Sequence, residues 1–259
     1  MTPSSLTPPP DMLDPSGLAL FLDFDGTLVD IVEHPDDVHL KEPVRAVVEA
    51  MNSATDGAVA IVSGRDIEDV DRFLAPLVLP IAGVHGLRRR LSDGRVVEPS
   101  TDRSRLNILA DRLTPFVNRS NGLFLERKSV SIALHYRASP ELEEKSLTAM
   151  ADAIAGLEDI HLVRGKMVVE AKGGRTTKGA AITDFLAERP FSGRLPVFAG
   201  DDITDEDGFD TVNARGGLSI KIGDGPTKAN HRFEDREALI EWLSRLAGTT
   251  IGGRNREHA

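Results

Sequence analysis

Four short apolar runs punctuate the chain: Leu18–Leu22 (LALFL), Ala58–Val62 (AVAIV), Leu195–Ala199 (LPVFA) and Gly217–Ile222 (GLSIKI). Runs this short and continuous predict strands buried on both faces of a parallel sheet. Between them apolar residues recur at helical spacing. Val44, Val47, Val48 and Met51 form one such stripe, and Leu239, Trp242, Leu243 and Leu246 another; each covers one face of a helix. Alternating strands and helices predict an α/β class, a doubly wound Rossmann-like core around a parallel sheet.

The middle third has a different rhythm. Asp93-Gly94 is a hairpin signal. Val130, Ile132, Leu134 and Tyr136 alternate with Ser131, Ala133, His135 and Arg137, which predicts a half-buried strand with one polar face. Leu147, Met150, Ile154 and Leu157 mark a helix, and Lys166, Val168 and Glu170 share one face of a further strand, opposite Met167 and Val169. Hairpins plus helices make an α+β module, predicted at residues 88–172 as an insertion between the core segments 17–87 and 173–248. Pro3, Pro8, Pro9, Pro10 and Pro15 mark residues 1–16 as a disordered lead-in. Residues 249–259 read as a flexible tail.

Composition narrows the chemistry. The 259 residues hold 41 acids against 31 Lys and Arg, a net charge of −10, which excludes a generic nucleic-acid binder because phosphate-backbone affinity needs clustered cations. Aromatic residues are 5% of the chain, too few for base-stacking platforms. Cysteine is absent, and with it thiolate nucleophiles, disulfides and cysteine-ligated metals. No apolar run approaches the roughly 20 residues of a membrane span, and the N-terminal segment lacks the basic and apolar regions of a secretory signal. A cytoplasmic protein with no membrane partner is expected.

Chemistry gathers at the ends of the predicted strands, where ligands bind in open α/β sheets. Asp23-Phe24-Asp25-Gly26-Thr27 follows the first strand directly and lets two carboxylates converge on one point. Ser63-Gly64-Arg65 follows the second, offering a hydroxyl and turn amides to phosphoryl oxygens. Thr176-Thr177-Lys178-Gly179 opens a helix that carries Ala181, Phe185 and Leu186. A lysine at a helix start opposes the helix dipole unless an anion binds there. Gly200-Asp201-Asp202-Ile203-Thr204-Asp205-Glu206-Asp207 places five acids within seven residues. They repel one another unless a cation intervenes, and oxygen-only donors suit Mg²⁺. His85, His135 and His161 lie in separate segments without metal-ligand spacing and are read as hydrogen-bonding residues. Arg88-Arg89-Arg90 is read as a solvated strand edge.

In this order, DFDGTL, SGR, TKG and GDDITDED resemble the four motifs of the haloacid dehalogenase (HAD) superfamily of phosphohydrolases. GVHG (Gly83–Gly86), ALHYR (Ala133–Arg137), GKMVVE (Gly165–Glu170), TTKGAAI and PVFAGDDITDEDGF resemble more narrowly the bacterial trehalose-6-phosphate phosphatase family, from about Leu18 to Leu246. One departure is visible: the family often carries an acid where this chain has Arg88.

The resemblance implies a HAD core with an inserted C2-type cap, and hydrolysis of trehalose 6-phosphate as the last step of trehalose synthesis. It implies Asp23 as the nucleophile that forms an aspartyl-phosphate, Asp25 as acid and then base, and Ser63 and Lys178 as stabilisers of the transferring group. Mg²⁺ would be held by the Asp23 carboxylate, the Asp25 main-chain carbonyl and the Asp201 carboxylate. Asp202 and Asp205 would orient Lys178 or metal-bound water. Gly64, Arg65, Glu126, Arg137, Lys166 and Glu170 would contact substrate. On one strand face, Lys166 and Glu170 would stand roughly 13 Å apart at about 3.3 Å per residue, the reach of a disaccharide. A functional link to a trehalose-6-phosphate synthase follows, and a monomer is expected.

Rival readings are a HAD phosphatase for sucrose or mannosyl phosphate, a phospho-aspartate signalling receiver, and an inactive sugar-phosphate sensor. A receiver lacks both the second aspartate of D-x-D and the large insertion. A sensor would have lost a motif residue, and none is missing.

Overall fold

The structure is a computed structural model that describes residues 6–32, 38–97, 103–128, 131–157, 160–173 and 176–249. All five residues of β1 (Leu18–Leu22) are buried, because the strand is central and covered on both faces. The chain then runs through α1 (Glu42–Ala54), β2 (Val59–Val62), α2 (Ile67–Leu74), β3 (Ile81–Gly83), β4 (Arg88–Arg90), β5 (Val96–Val97) and α3 (Arg103–Asn118). It continues with β6 (Phe124–Arg127), β7 (Ser131–His135), α4 (Glu143–Ile154), β8 (Ile160–Gly165) and β9 (Val168–Gly173). The last part is α5 (Lys178–Leu186), β10 (Leu195–Gly200), α6 (Glu206–Asn213), β11 (Leu218–Ile222), β12 (His231–Phe233) and α7 (Arg236–Leu246).

Eight strands form the large sheet, in the order β12-β11-β10-β1-β2-β3-β4-β5. It is parallel from β12 to β3. Alternate residues of β1 serve different cores. Leu18, Leu20 and Leu22 pack with Val44, Val48, Met51, Trp242 and Leu243 of α1 and α7. Ala19 and Phe21 pack with Ile182, Phe185 and Phe209 of α5 and α6. This period-two division of apolar side chains between two helix layers is the doubly wound arrangement.

The smaller sheet is antiparallel, ordered β6-β7-β9-β8. Leu109 and Leu113 of α3 and Leu147 and Met150 of α4 cover one face, packing on Ile132, Leu134, Val169 and Ala171. Its other face carries Glu126, Ser131, His135, Glu170 and Lys172. The polar face of β7 is not open to water as the alternation predicts: Ser131 and Ala133 are fully buried, because the core domain lies against it.

Several expectations change. Residues 88–97 belong to the large sheet, not to the inserted module: β4 pairs antiparallel with β3, and β5 with β4. A hairpin at a sheet edge needs no crossover helix, and its DG turn marks a hairpin without saying which sheet it extends. The arginines of β4 are not solvated. Arg88 reaches Asp66 at 2.9 Å and Glu68 at 2.6 Å, Arg89 reaches Glu188 at 3.0 Å, and Arg90 grips Asp71 and the Leu79 carbonyl.

Residues 6–16 are not a disordered lead-in. The Pro10 carbonyl accepts from Trp242 Nε1 at 3.0 Å, the Thr7 carbonyl accepts from the Arg232 amide, and Asp11 pairs with Arg245. Prolines donate nothing, but their carbonyls satisfy a buried indole that would otherwise lack an acceptor. Residues 1–5 and 250–259 lie outside the described part, and with them most of the predicted tail.

Candidate active site

The carboxyl ends of β1, β2 and β10 and the start of α5 converge. Asp23 follows β1, Ser63 follows β2 and Asp201 follows β10, while Lys178 is the first residue of α5. Asp23 is 4% exposed and Lys178 is 3% exposed. The Asp23 amide donates to the Ala199 carbonyl of β10, tying two strand tips together. Thr177 caps α5, its side chain accepting from the Ala180 amide, so the helix starts where the lysine is needed.

Lys178 Nζ donates to Asp23 Oδ1 at 2.7 Å and to Asp205 Oδ1 at 2.6 Å. Burial works against its charge, but Asp205 and Asp23 outweigh that and hold the ammonium above its ordinary value. Burial raises the Asp23 carboxyl well above its usual range despite Lys178, and the neighbouring Asp205 and Asp201 add to the rise. Burial also pushes Asp201 up to about 6, with the charges of Asp205 and Asp202 as further causes. Three carboxylates beside one ammonium leave negative charge uncompensated.

That excess fits a cation. Asp23, Asp201 and Asp205 each offer a carboxylate oxygen, all within 4.8 Å of one another. Asp205 is already engaged: Oδ1 holds Lys178 and Oδ2 accepts from the Asp202 amide at 2.9 Å. The Asp201 carboxylate accepts no hydrogen bond among the described residues, and it packs against Gly26, where a Cβ would overlap it. The φ of +81° at Gly26 also favours glycine. All-oxygen donors in a cramped, acidic hollow suit a small hard divalent ion. The Asp25 carboxylate faces Arg65.

All the residues expected to act line one cleft of about 180 Å³, except Asp205, which lies beneath Lys178. The core side contributes Asp23, Asp25, Ser63, Gly64, Arg65, Lys178, Asp201 and Asp202, and the small sheet contributes Glu126, Arg137, Lys166 and Glu170. Ser63 is 1% exposed and its Oγ accepts from the Arg65 amide. Arg65 is engaged by Asp25: its Nε and Nη2 each donate to that carboxylate at 2.7 Å. Asp202 serves the turn, accepting from the Ile203 amide, while its own amide donates to Asp205, which holds Lys178.

The small sheet's residues are paired more tightly than alternation along a strand suggests. Glu126 meets His135 at 2.7 Å. Arg137 donates to the Val32 carbonyl of the core. Lys166 is not on the strand face of Glu170: β8 ends at Gly165 and β9 begins at Val168, so Lys166 and Met167 make the turn between them, and Met167 has a φ of +61°. The expected 13 Å spacing along one strand therefore does not apply.

Glu170 is 4% exposed. It stands 3.3 Å from Lys128 Nζ and 3.2 Å from His85 Nε2, and accepts from Ser131 Oγ. Burial favours its neutral form, but Lys128, then His85 and Ser131, hold its carboxyl well below the ordinary range. Lys128 also donates to the Gly64 carbonyl at 2.8 Å, joining the small sheet to the β2 tip. Burial and Coulomb repulsion from the lysines keep His85 below its usual value against the pull of Glu170.

Lys128, His85 and Lys221 are the residues that sequence reasoning missed or underrated. Lys128 stands two positions after Glu126 and so points to the same face, a signal available in the chain. Lys221, 6% exposed on β11, donates to the Asp201 carbonyl and steadies that loop. Nothing in KI of GLSIKI marks it.

Comparisons with known proteins bear on the same residues. The family model described as Trehalose-phosphatase matches residues 21–237. The trehalose-6-phosphate phosphatase of Escherichia coli K12 is 38% identical over 240 residues, covering 93% of this chain and 90% of that protein. A bifunctional trehalose-6-phosphate synthase/phosphatase of Thermoproteus tenax is 32% identical over 239 residues, covering 88% of this chain and 31% of the relative. Among solved structures, the C-terminal domain of the Candida albicans trehalose-6-phosphate phosphatase superposes with a TM-score of 0.82 at 21% identity, over 96% of this chain and all of that one; at that identity it speaks for the fold.

Proposed function

The chain belongs to the trehalose-phosphatase family, and we propose on that premise that it hydrolyses trehalose 6-phosphate to trehalose and phosphate through an aspartyl-phosphate on Asp23. The observation that carries the reading is Asp23 beside Lys178 at the floor of a cleft whose roof holds Glu126, Lys128, Arg137 and Glu170.

A phosphoryl dianion and a carboxylate repel each other, so attack needs positive charge fixed in advance. Lys178 supplies one such charge, held by Asp205 so that it need not reorganise. Asp23, Asp201 and the Asp25 carbonyl would hold Mg²⁺, which would supply further positive charge against the phosphoryl oxygens. Ser63 Oγ would donate to the transferring group. Asp23 attacks phosphorus in line while a carboxyl proton of Asp25 passes to the bridging sugar oxygen. Water then attacks the phospho-aspartate, its proton going to Asp25.

In the cleft's roof, buried charged groups that find partners among sugar hydroxyls give selectivity, since an analogue lacking those hydroxyls leaves them unmatched. A sugar phosphate carries charge that keeps it from crossing bilayers unaided, so the reading places the reaction in the cytoplasm. The relative that joins synthase and phosphatase in one chain supports a supply of substrate from a synthase.

The test is phosphate release from trehalose 6-phosphate, sucrose 6-phosphate, glucose 6-phosphate and a mannosyl phosphate, with EDTA and with Mg²⁺. Trehalose 6-phosphate is expected to lead in kcat/KM by at least about 100-fold, with activity lost to EDTA and restored by Mg²⁺. Equal rates across the panel overturn the substrate assignment, and activity indifferent to EDTA overturns the metal.

A further inference from the structure

Arg65 closes the SGR motif, and the resemblance makes it a substrate contact. Its geometry says otherwise. Arg65 Nε donates to Asp25 Oδ2 and Nη2 donates to Asp25 Oδ1, each at 2.7 Å. Two parallel bonds from a planar fork fix the plane of the carboxylate as well as its distance. The fork is itself held. Its central carbon lies 5.8 Å from the Phe24 ring and 5.2 Å from the Phe73 ring, and these two rings stack at 5.8 Å on each other. Phe24 is fully buried. The Arg65 side chain is 12% exposed against 38% for Asp25. The carboxylate is thus the loose member of the pair, and the guanidinium, seated on two rings, is the rigid one.

We propose that Arg65 is a positioning residue that aims the Asp25 carboxylate at the sugar oxygen. It does not bind the phosphoryl group. This rests on the hydrolysis described above. In the first step the Asp25 proton moves to the bridging oxygen as the P–O bond breaks. The bond's electron pair stays on the sugar oxygen, and phosphorus bonds to Asp23. In the second, water oxygen bonds to phosphorus, the P–O bond to Asp23 breaks, and Asp25 takes the water proton. One carboxyl oxygen turns to the substrate in each step while Arg65 keeps the other, so the fork acts as a pivot. A misaim of about 1 Å is enough to cost about 100-fold in rate.

Arg65→Met and Arg65→Lys test this with two substrates. The sugar alkoxide of trehalose 6-phosphate needs a proton to leave, whereas p-nitrophenolate does not. Arg65→Met is expected to lower kcat on trehalose 6-phosphate about 100-fold, with KM and the inhibition constant of inorganic phosphate within about threefold. Release of p-nitrophenolate in the first turnover is expected to keep its wild-type rate. Arg65→Lys, with one nitrogen in place of a planar two-nitrogen fork, is expected to recover about a tenth of the lost rate. A rise in KM and in the phosphate inhibition constant with kcat kept would return Arg65 to phosphoryl binding. Equal losses in both first-turnover rates would make it merely structural. The underlying reading fails separately, if the unmodified protein releases no phosphate from trehalose 6-phosphate.

Discussion

Glu170 Oε2 lies 3.2 Å from His85 Nε2, so a carboxylate buried in the small sheet meets an imidazole on the loop that follows β3. The same carboxylate faces Lys128, which holds the Gly64 carbonyl. Charge in the cleft's roof is therefore braced against both loops that border the phosphoryl site.

Replacing Glu170 with alanine removes that brace and, on the proposed reading, a partner for sugar hydroxyls. Glu170→Ala is expected to lower kcat/KM for trehalose 6-phosphate about 100-fold and that for p-nitrophenyl phosphate less than about fivefold. The ratio of the two, measured under the same conditions, is the check; parallel losses would deny Glu170 a part in sugar recognition.

The Glu170 carboxyl sits below its ordinary value of 4.5, because Lys128, His85 and Ser131 outweigh its burial. The unfolded chain therefore takes up the proton first as pH falls, and the stabilisation is complete above about pH 4.5 and lost below it. Glu170→Gln is expected to cost about 3 kcal/mol at pH 7, since it leaves the largely enclosed Lys128 ammonium without this carboxylate. The gap to wild type narrows by about 1.4 kcal/mol per pH unit below that point. Urea unfolding of both proteins at pH 7, 4.5 and 3.5 measures it; a gap unchanged down to pH 3.5 contradicts the assignment.

Asp23→Asn keeps the shape of the side chain and removes the proposed nucleophile. Lys178 retains Asp205, and one of three crowded carboxylates is relieved of a charge that burial disfavours. Turnover is expected below about one part in 10⁴ of wild type, with a melting temperature within a few degrees. Residual activity above that level removes the covalent step.

Gly26→Ala places a methyl group against the Asp201 carboxylate and forces a non-glycine residue to a φ of +81°. Strain of about 1 to 3 kcal/mol is expected, together with a weakening of Mg²⁺ affinity by at least about tenfold. Calorimetric titration of the ion against the folded variant separates these effects. Unchanged affinity would place the ion elsewhere.

The core and its floor of acids were legible because parallel strands are written as unbroken apolar runs, and the chemistry of such folds collects at their ends. DFDGT, SGR and GDD each follow such a run directly. The roof was legible only as residue types. Glu170 announced itself by its motif, but its partners Lys128 and His85 come 42 and 85 residues earlier in the chain, and period-two alternation cannot say what lies across a cleft. Lys166 was misplaced because a two-residue turn inside GKMVVE looks, by alternation alone, like one continuous strand. Arg88 to Arg90 look solvated in a list of charges, yet each meets an acid from α2 or from the α5 end of the core. At the position where the family often carries an acid, Arg88 instead pairs with Asp66 and Glu68.

The small sheet returns to the core at a telling place. β9 ends at Gly173, and α5 begins at Lys178, so a tether of four residues joins the sheet carrying Glu170 to the ammonium that grips Asp23. Lys172, near the end of β9, donates to the Thr176 carbonyl on that tether. A movement of the small sheet against the core would pull on the segment that leads into Lys178. On the proposed reading, admission of a sugar and readiness to receive its phosphate would be geared to one another by so short a link in the sequence.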